Sequence, residues 1–573
     1  MSVPRPEYPN PQFERKNWVN LNGKWEFEID KSVSGKERGL YNSPKLAGEI
    51  IVPFCPESEL SGVGEKDFLN SVWYKREIEV KATDDLVILH IGACDYLTTL
   101  YVNGREVGTH KGGYTHFSFD ITEYVNPGTN IIVINAIDDT RSHLQPGGKQ
   151  SAEYNSFGCF YTRTTGIWQT VWLEYVPKTH IESVKYYPDS ANGKLTIKAQ
   201  VKGDAVLSAI VYYEGKEMGR ATAVNNGQNV DLTIELLEKH LWELGAGRLY
   251  DIKLTYGNDE VSSYFGLRNV ALDGYKFKLN GKTVFQRTVL DQGFYPDGIY
   301  TAASEEALIN DIQISLDAGF NGARLHEKVF EPRFLYHCDK MGYMVWGEYA
   351  NWGLDHTELH SLPTFLREWQ EAVERDFNHP AIIGWCPFNE TWDIDDRKQR
   401  DEVLELIYRS TKLMDTTRPC IDTSGNYHVI TDIFDFHDYC QNVEDFRGYY
   451  DLLEKEDIIM DQTARYEHTK NRQVYKKGQA VFASEYGGIK WDIENNGEAW
   501  GYGNAPKTEE EFIERYRELT NVLLSNSKMM GFCYTQLYDV EQEKNGLYTY
   551  SRKPKFDMSI FKEINTRKAT IEE

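Results

Sequence analysis

Apolar and polar residues alternate with a period of two through the first ~180 residues. The runs "GKWEFEID" (23–30), "SVWYKREIEV" (71–80), "LVILHIGA" (86–93), "YLTTLYVNGREVGTH" (96–110) and "TGIWQTVWLEYV" (165–176) each put apolar side chains on one face, as half-buried strands do. Asn103-Gly104 inside the fourth run is a hairpin turn signal. No long helical period appears, so an antiparallel β-sandwich is expected. The pattern repeats on a smaller scale in "IESVKYYPD", "GKLTIKAQVKG", "AVLSAIVYYEGKEMG" and "RLYDIKLTYGND". Short strands over ~90 residues predict an immunoglobulin-like sandwich. One stretch, "IELLEKHLWE" (234–243), reads as a helix within it.

Near residue 273 the pattern changes. Strand-like runs now alternate with helical periods, which implies parallel βα units. Eight strand candidates follow: "VFQRTVL" (284–290), "NGARLH" (321–326), "YMVWGEY" (343–349), "AIIGWCPFNE" (381–390), "PCIDTS" (419–424), "IFDFHDY" (433–439), "AVFASEYG" (480–487) and "MGFCYTQLYD" (530–539). Between the first two lies "SEEALINDIQISLDAG", with Ser304 as N-cap, Leu308, Ile312 and Leu316 on one face, and Gly319 at the end. Eight strands in ~300 residues fit a (β/α)₈ barrel. Three domains are therefore expected, over residues 1–179, 180–272 and 273–573. A chain of 573 residues is too long for one ordinary core.

In such barrels the functional groups sit at the C-terminal ends of the strands. Those ends carry Arg324 and His326 on the second strand, Glu348 on the third, Asn389 and Glu390 on the fourth, His437, Asp438 and Tyr439 on the sixth, and Glu485 on the seventh. An ionised carboxylate closing an apolar strand is costly unless it is paired or used. Glu390 and Glu485 end strands that face each other across the barrel mouth. Two carboxylates so placed suit glycoside hydrolysis: one protonates the leaving oxygen, the other attacks the anomeric carbon or activates water. Simple ion pairing to Arg324 would explain one strand-end glutamate as well as catalysis does. It explains two such residues among Asn, Arg, His and Tyr far less well.

Composition narrows the field. The net charge of −25 argues against nucleic acid and anionic membranes as partners. No apolar stretch is long enough to span a bilayer, and the N-terminus lacks the pattern of a signal peptide, so a cytoplasmic location is expected. A secreted form whose leader had been removed would read the same. Eight scattered cysteines without a CxxC pair read as buried thiols. The 13 Trp and 37 Tyr fit large β cores and also stacking on sugar rings. His356 and His360 in "HTELH" (356–360) are not a zinc motif and read as a solvated face. "NET" (389–391) matches a glycosylation sequon, but Asn389 reads as a site residue. No P-loop, GxSxG elbow or dinucleotide fingerprint occurs, and neither a cofactor nor a metal is expected. A homo-oligomer is left open.

The chain resembles the family 2 glycoside hydrolases, which include β-galactosidases, β-glucuronidases and β-mannosidases. "NLNGKWEFEID", "YVNGREVGTHKGGYTHFSFDIT" and "TGIWQTVWLEYV" resemble that family's N-terminal jelly roll; "FKLNGKTVFQRTVLDQG", "GFNGARLHEKVFEPRFLYHCDKMGYMVWGE" and "HPAIIGWCPFNETWD" resemble its barrel. The resemblance implies that Glu390 is the general acid/base and Glu485 the nucleophile. It implies that Asn389 bonds the sugar 2-hydroxyl, that Arg324 keeps Glu485 ionised and that Tyr439 donates near it. Asp291, His326, His437 and Gln536 would complete the sugar subsite.

There are departures. The family's Arg-x-Ser-His-Tyr-Pro is "RLHEKVF" here, and a Trp after the eighth strand is replaced by Thr535 or Gln536. The Asn-x-Lys pattern that holds a uronate in β-glucuronidases is replaced by Glu543-Lys544-Asn545 before Gly546. An acidic residue there should repel a uronate, unless Lys490 or Lys544 supplies a clamp. The expectation is thus a retaining exo-β-glycosidase acting on an oligosaccharide or glycoside, with β-galactoside first. β-Glucuronide, β-mannoside and α-L-arabinopyranoside are alternatives within the family. A catalytically silent carbohydrate-binding protein on the same fold is the alternative of another class.

Overall fold

A computed structural model describes residues 3–225, 227–394, 397–459, 472–494 and 499–572. The first domain is two packed antiparallel sheets. One has six strands, in the order Gly48–Val52, Gly23–Ile29, Ser71–Val80, Gly128–Ile137, Leu97–Val102 and Arg105–Lys111. The other has four, in the order Trp18–Asn20, Val171–Val176, Leu86–Ile91 and Phe117–Asp120. Their inward residues, among them Trp25, Tyr74, Leu89, Leu100, Ile134 and Leu173, form one apolar core, as a sandwich with period-two strands must.

The second domain is a smaller sandwich of three and four strands. Strand Lys194–Lys202 shows why: from Leu195 onward its residues alternate between buried and more exposed. The helix expected over 234–243 is absent. Ile234 and Glu235 finish strand Asn229–Glu235, and the N–H groups of Leu236 and Leu237 donate to Gly193 O and Met218 O. His240 stacks on Tyr213 at 3.7 Å, and Trp242 is fully buried with its Nε1 on Asp339 O at 2.7 Å. Tertiary partners outcompete local helix propensity here.

The third domain carries the parallel strands. We label them β1 (Gln286–Asp291), β2 (Gly322–Leu325), β3 (Met344–Glu348), β4 (Ile382–Cys386), β5 (Thr423–Ser424), β6 (Phe434–Asp438), β7 (Val481–Gly487) and β8 (Met529–Thr535). Seven form a curled sheet in the order β4-β3-β2-β1-β8-β7-β6. β5 pairs with Phe388–Asn389, the continuation of β4. Among the described residues no backbone ladder joins β5 to β6; Ser424 Oγ donates to Asp435 Oδ2 across that gap at 2.6 Å. The helix after β1 spans Glu305–Asp317 with Ser304 at its N-cap position and Gly319, at φ +84°, beyond its end.

β3 and β4 lock by exchange. A Cβ on Gly384 would lie 2.2 Å from the Trp346 ring, and one on Gly347 would lie 2.7 Å from the Trp385 ring. Each indole needs the other strand's glycine. Gly384→Ala should therefore destabilise the barrel by about 1–3 kcal/mol through overpacking, read as a lower midpoint of thermal unfolding. An unchanged midpoint would mean that Trp346 can move aside.

Candidate active site

The C-terminal ends of β2, β3, β4, β6 and β7 converge on one guanidinium. Arg324, 1% exposed, donates from Nε to Glu348 Oε1 at 2.5 Å, from Nη1 to Glu485 Oε1 at 3.0 Å and Ser484 O at 2.8 Å, and from Nη2 to Asn389 Oδ1 at 3.2 Å. A rigid fork of donors suits this better than a lysine point charge would. His326 Nδ1 shares Glu348 at 3.2 Å and lies 4.0 Å from Glu485 Oε1.

Backbone irregularity aims the two glutamates. The β6–β7 register shifts between Phe436 and His437, which sets His437 opposite Glu485. Such bulges re-aim side chains at the rims of barrels. Glu390 follows β4's continuation at φ +40°, a left-handed conformation that a non-glycine residue adopts at a cost. Its N–H is held by Ser424 O at 2.8 Å. His437 sits between the carboxylates: Nδ1 is 2.5 Å from Glu390 Oε1 and Nε2 is 3.3 Å from Glu485 Oε1. Tyr439 OH donates to Glu485 Oε2, and its ring stacks on Tyr502 at 3.4 Å. One oxygen of Glu390, one of Glu485 and a nitrogen of His437 all lie within 4.8 Å of one another. That spacing would also admit a divalent cation, but the two carboxylates are already engaged by His437, Arg324 and Tyr439.

The charges follow from this packing. Burial disfavours ionised Glu485, but the His437 imidazolium and the Arg324 guanidinium outweigh it and hold the carboxyl below its ordinary range. Burial likewise opposes ionised Glu390, and His437 outweighs it. His437 is held above the ordinary histidine range, its burial overcome by Glu485 and Glu390.

Other expected site residues have partners of their own. Asp291, 2% exposed, accepts from Tyr538 OH at 2.5 Å and Gly293 N at 2.9 Å, and burial pushes its carboxyl up to about 6. Gln536 accepts from Gln292 Nε2 at 2.9 Å. Asp438 accepts from Cys440 N and Tyr450 OH. Lys544 is 3.1 Å from Glu494. Of the "HTELH" pair, His360 is exposed as expected. His356 is not: it is 7% exposed and lines an apolar cavity of about 240 Å³ with Phe160, Trp352, Leu354, Trp392 and Glu390. Cys159 and Cys440 are half-buried thiols; the other six are buried.

The first sandwich completes the mouth, which the linear pattern did not reveal. Gln542 Nε2 donates to Gly158 O and Phe160 O at 2.9 and 3.0 Å, and Tyr161 OH donates to Glu543 Oε2.

Models of known families match all three domains: "Glycosyl hydrolases family 2, sugar binding domain" over residues 64–174, "Glycosyl hydrolases family 2" over 179–268, and "Glycosyl hydrolases family 2, TIM barrel domain" over 270–569. The chain belongs to glycosyl hydrolase family 2. Among family 2 relatives, a beta-galactosidase of Thermoanaerobacter pseudethanolicus is 28% identical over 66% of this chain, which spans 52% of that relative's length. A beta-glucuronidase of Rattus norvegicus is 26% identical over 82% of this chain and 77% of its own length. The solved structure of a Lactobacillus rhamnosus beta-glucuronidase superposes with a TM-score of 0.81 at 18% identity, covering 99% of this chain and 100% of the other. A Ruminococcus gnavus structure in complex with D-glucuronic acid gives 0.78 at 19% identity, covering 98% and 100%. These structural likenesses show the family 2 fold. Among the described residues no helix is long and apolar enough to cross a membrane.

Arg324→Leu would leave Glu348 and Glu485 buried without their cation. The expected loss is about 3–5 kcal/mol of stability at neutral pH. Glu485's depressed pKa contributes stability above the unfolded carboxylate range and loses it as pH falls. The gap between variant and wild type should therefore narrow in acid. A gap in thermal midpoint that is independent of pH would show that the lost packing, not the charge, matters.

Proposed function

We propose that this family 2 chain is a retaining exo-β-glycosidase with β-D-glucuronides as its sugar class. One observation carries the reaction: oxygens of Glu390 and Glu485 within 4.8 Å of each other. Double displacement wants carboxyl groups about 5–5.5 Å apart, whereas inversion needs roughly 6.5–9.5 Å to fit a water. Glu485, ionised by Arg324 and His437, attacks the anomeric carbon. Glu390 protonates the departing oxygen and then takes a proton from water. Arg324 occupies the Asn389 carbonyl oxygen, so the Asn389 amide N–H₂ is the donor left for the sugar 2-hydroxyl. A silent binding protein would have no use for the pair.

Glu390 alone would be a poor acid, because its pKa is depressed. The proton is held on the 2.5 Å bond to His437, and the two groups titrate as one unit.

For the sugar, the β-galactoside expected from sequence is replaced by β-glucuronide as the first reading. Several relatives named beta-glucuronidase align over most of their own length, although a putative one aligns over 42% of its own; the beta-galactosidase aligns over 52% of its own. β-Galactoside remains the second reading on that relative. The apolar cavity beside Glu390 lies on the leaving-group side and suits an aromatic aglycone.

Glu485→Gln should abolish turnover of every glycoside. Glu390→Gln should lose roughly 10²–10⁴-fold on substrates with poor leaving groups and far less on p-nitrophenyl glycosides, where added azide should restore turnover with retained configuration. Azide rescue of Glu485→Gln with retained configuration, and none of Glu390→Gln, would reverse the two roles.

The pH profile of kcat/KM gives a separate check. Its acid limb should fall below the ordinary carboxylate range, where Glu485 protonates. Its basic limb should lie above the ordinary histidine range, where the Glu390–His437 pair loses its proton. His437→Gln should move the basic limb toward acid. An unmoved limb would remove His437 from the proton path.

A further inference from the structure

Asn-x-Lys is missing, yet the mouth holds a buried cation that makes no hydrogen bond among the described residues. The loop before it is pressed onto the barrel: the N–H groups of Gly147 and Gly148 both donate to Trp352 O, at 2.7 and 3.0 Å. Gly148 has φ +53°, and a Cβ there would lie 2.4 Å from Glu327 O, so a side chain would push the loop away. The next residue is Lys149, 5% exposed. Its ammonium sits 3.7 Å from the centroid of the Trp352 ring. The same indole donates to Asn389 O at 2.9 Å, which ties the cation's platform to the catalytic strand.

Among the described residues, no carboxylate lies within 4.0 Å of Lys149 Nζ, and it donates no hydrogen bond. Other buried cations near the mouth are spent. Arg324 serves Glu348, Glu485 and Asn389; Lys328 donates to Gly293 O and Tyr300 O at 2.5 and 2.9 Å; Lys544 faces Glu494. Burial opposes the Lys149 charge, but Cys159 and the acidic groups around the mouth outweigh it without touching the ammonium, so its donors are held charged and open to a ligand oxygen. Two acidic groups at the mouth repel a uronate less than ionised carboxylates would. Burial raises Glu327 well above its ordinary range and pushes Glu543 up to about 7.

We propose that Lys149 is a specificity-determining residue that pairs with the carboxylate of the glycone, so that the sandwich, rather than the loop after β8, reads the uronate. This rests on the β-glucuronide reading above.

The test compares an aryl β-glucuronide with the matching β-glucoside in wild type and Lys149→Met, whose side chain keeps the contact with Trp352. The glucuronide-to-glucoside ratio of kcat/KM should fall roughly thirtyfold or more, mainly through KM. Equal losses on both substrates would mean that Lys149 only tunes the glutamates, and would overturn the proposal, as would an unchanged ratio. Wild-type turnover of the glucoside without the glucuronide would instead sink the sugar reading, and the clamp with it. If Lys149→Met fails to fold, Lys149→Gln is read by inhibition constants for D-glucaro-1,5-lactone against D-glucono-1,5-lactone. The same collapse of preference is expected, and a retained preference for the charged lactone would refute the clamp.

Discussion

The site depends on the Arg324 guanidinium. It is a buried charge whose donors reach β3, β4 and β7 from its place on β2. Burying such a cation is unfavourable until its partners are in place. The partners are the groups whose positions matter: the Glu485 carboxylate and the Asn389 amide. One side chain thus sets the distance between β4's end and β7's end and fixes which end of the Asn389 amide is occupied. Glu348 plays the complementary part. It takes Arg324 Nε and His326 Nδ1 on separate oxygens, so the imidazole is oriented by the same carboxylate that balances the arginine.

A second constraint is the placement of His437 between two carboxylates. An imidazolium there favours ionised Glu485 and keeps a proton beside Glu390. The two requirements of double displacement, an ionised nucleophile and a protonated acid, pull on the same electrostatic field in opposite directions. A shared proton on a short bond reconciles them. The β6–β7 register shift and the left-handed φ of Glu390 are the backbone conditions for that geometry. Neither would be expected in a strand end that was only structural.

Much of this was legible in the chain. The strand read at 71–80 is Ser71–Val80, and the helix read after Ser304 is Glu305–Asp317, because period and caps are local signals. The convergence of Arg324, Asn389, Glu390, His437, Tyr439 and Glu485 was legible because barrel topology converts strand ends into neighbours. The helix over 234–243 was misread because Trp242 and His240 are captured by partners far away in sequence. Asp291 and Gln536 stand at strand ends, and their side chains bond Tyr538, Gly293 and Gln292. Position at a strand end does not specify which way a side chain turns. Lys149 was invisible for a different reason. "GGKQ" has no period and no motif, and its meaning comes only from a loop docking onto another domain.

That docking separates two kinds of residue. The groups assigned to bond breaking stand on or directly after parallel strands, where ladders and the Arg324 fork hold them rigidly. The groups that the first sandwich brings to the mouth, Lys149, Phe160 and Tyr161, come from a loop region of that domain. That region is fastened by backbone bonds to Trp352 and by Gln542 and Glu543. A change in such a loop alters charge and shape at the mouth without touching the Arg324 fork, so specificity can move while the chemistry stays in place. It also explains why a motif search confined to the barrel weighs the sugar from one wall alone. The loss of Asn-x-Lys after β8 removes a clamp from one wall, and the structure offers a buried cation from the opposite domain.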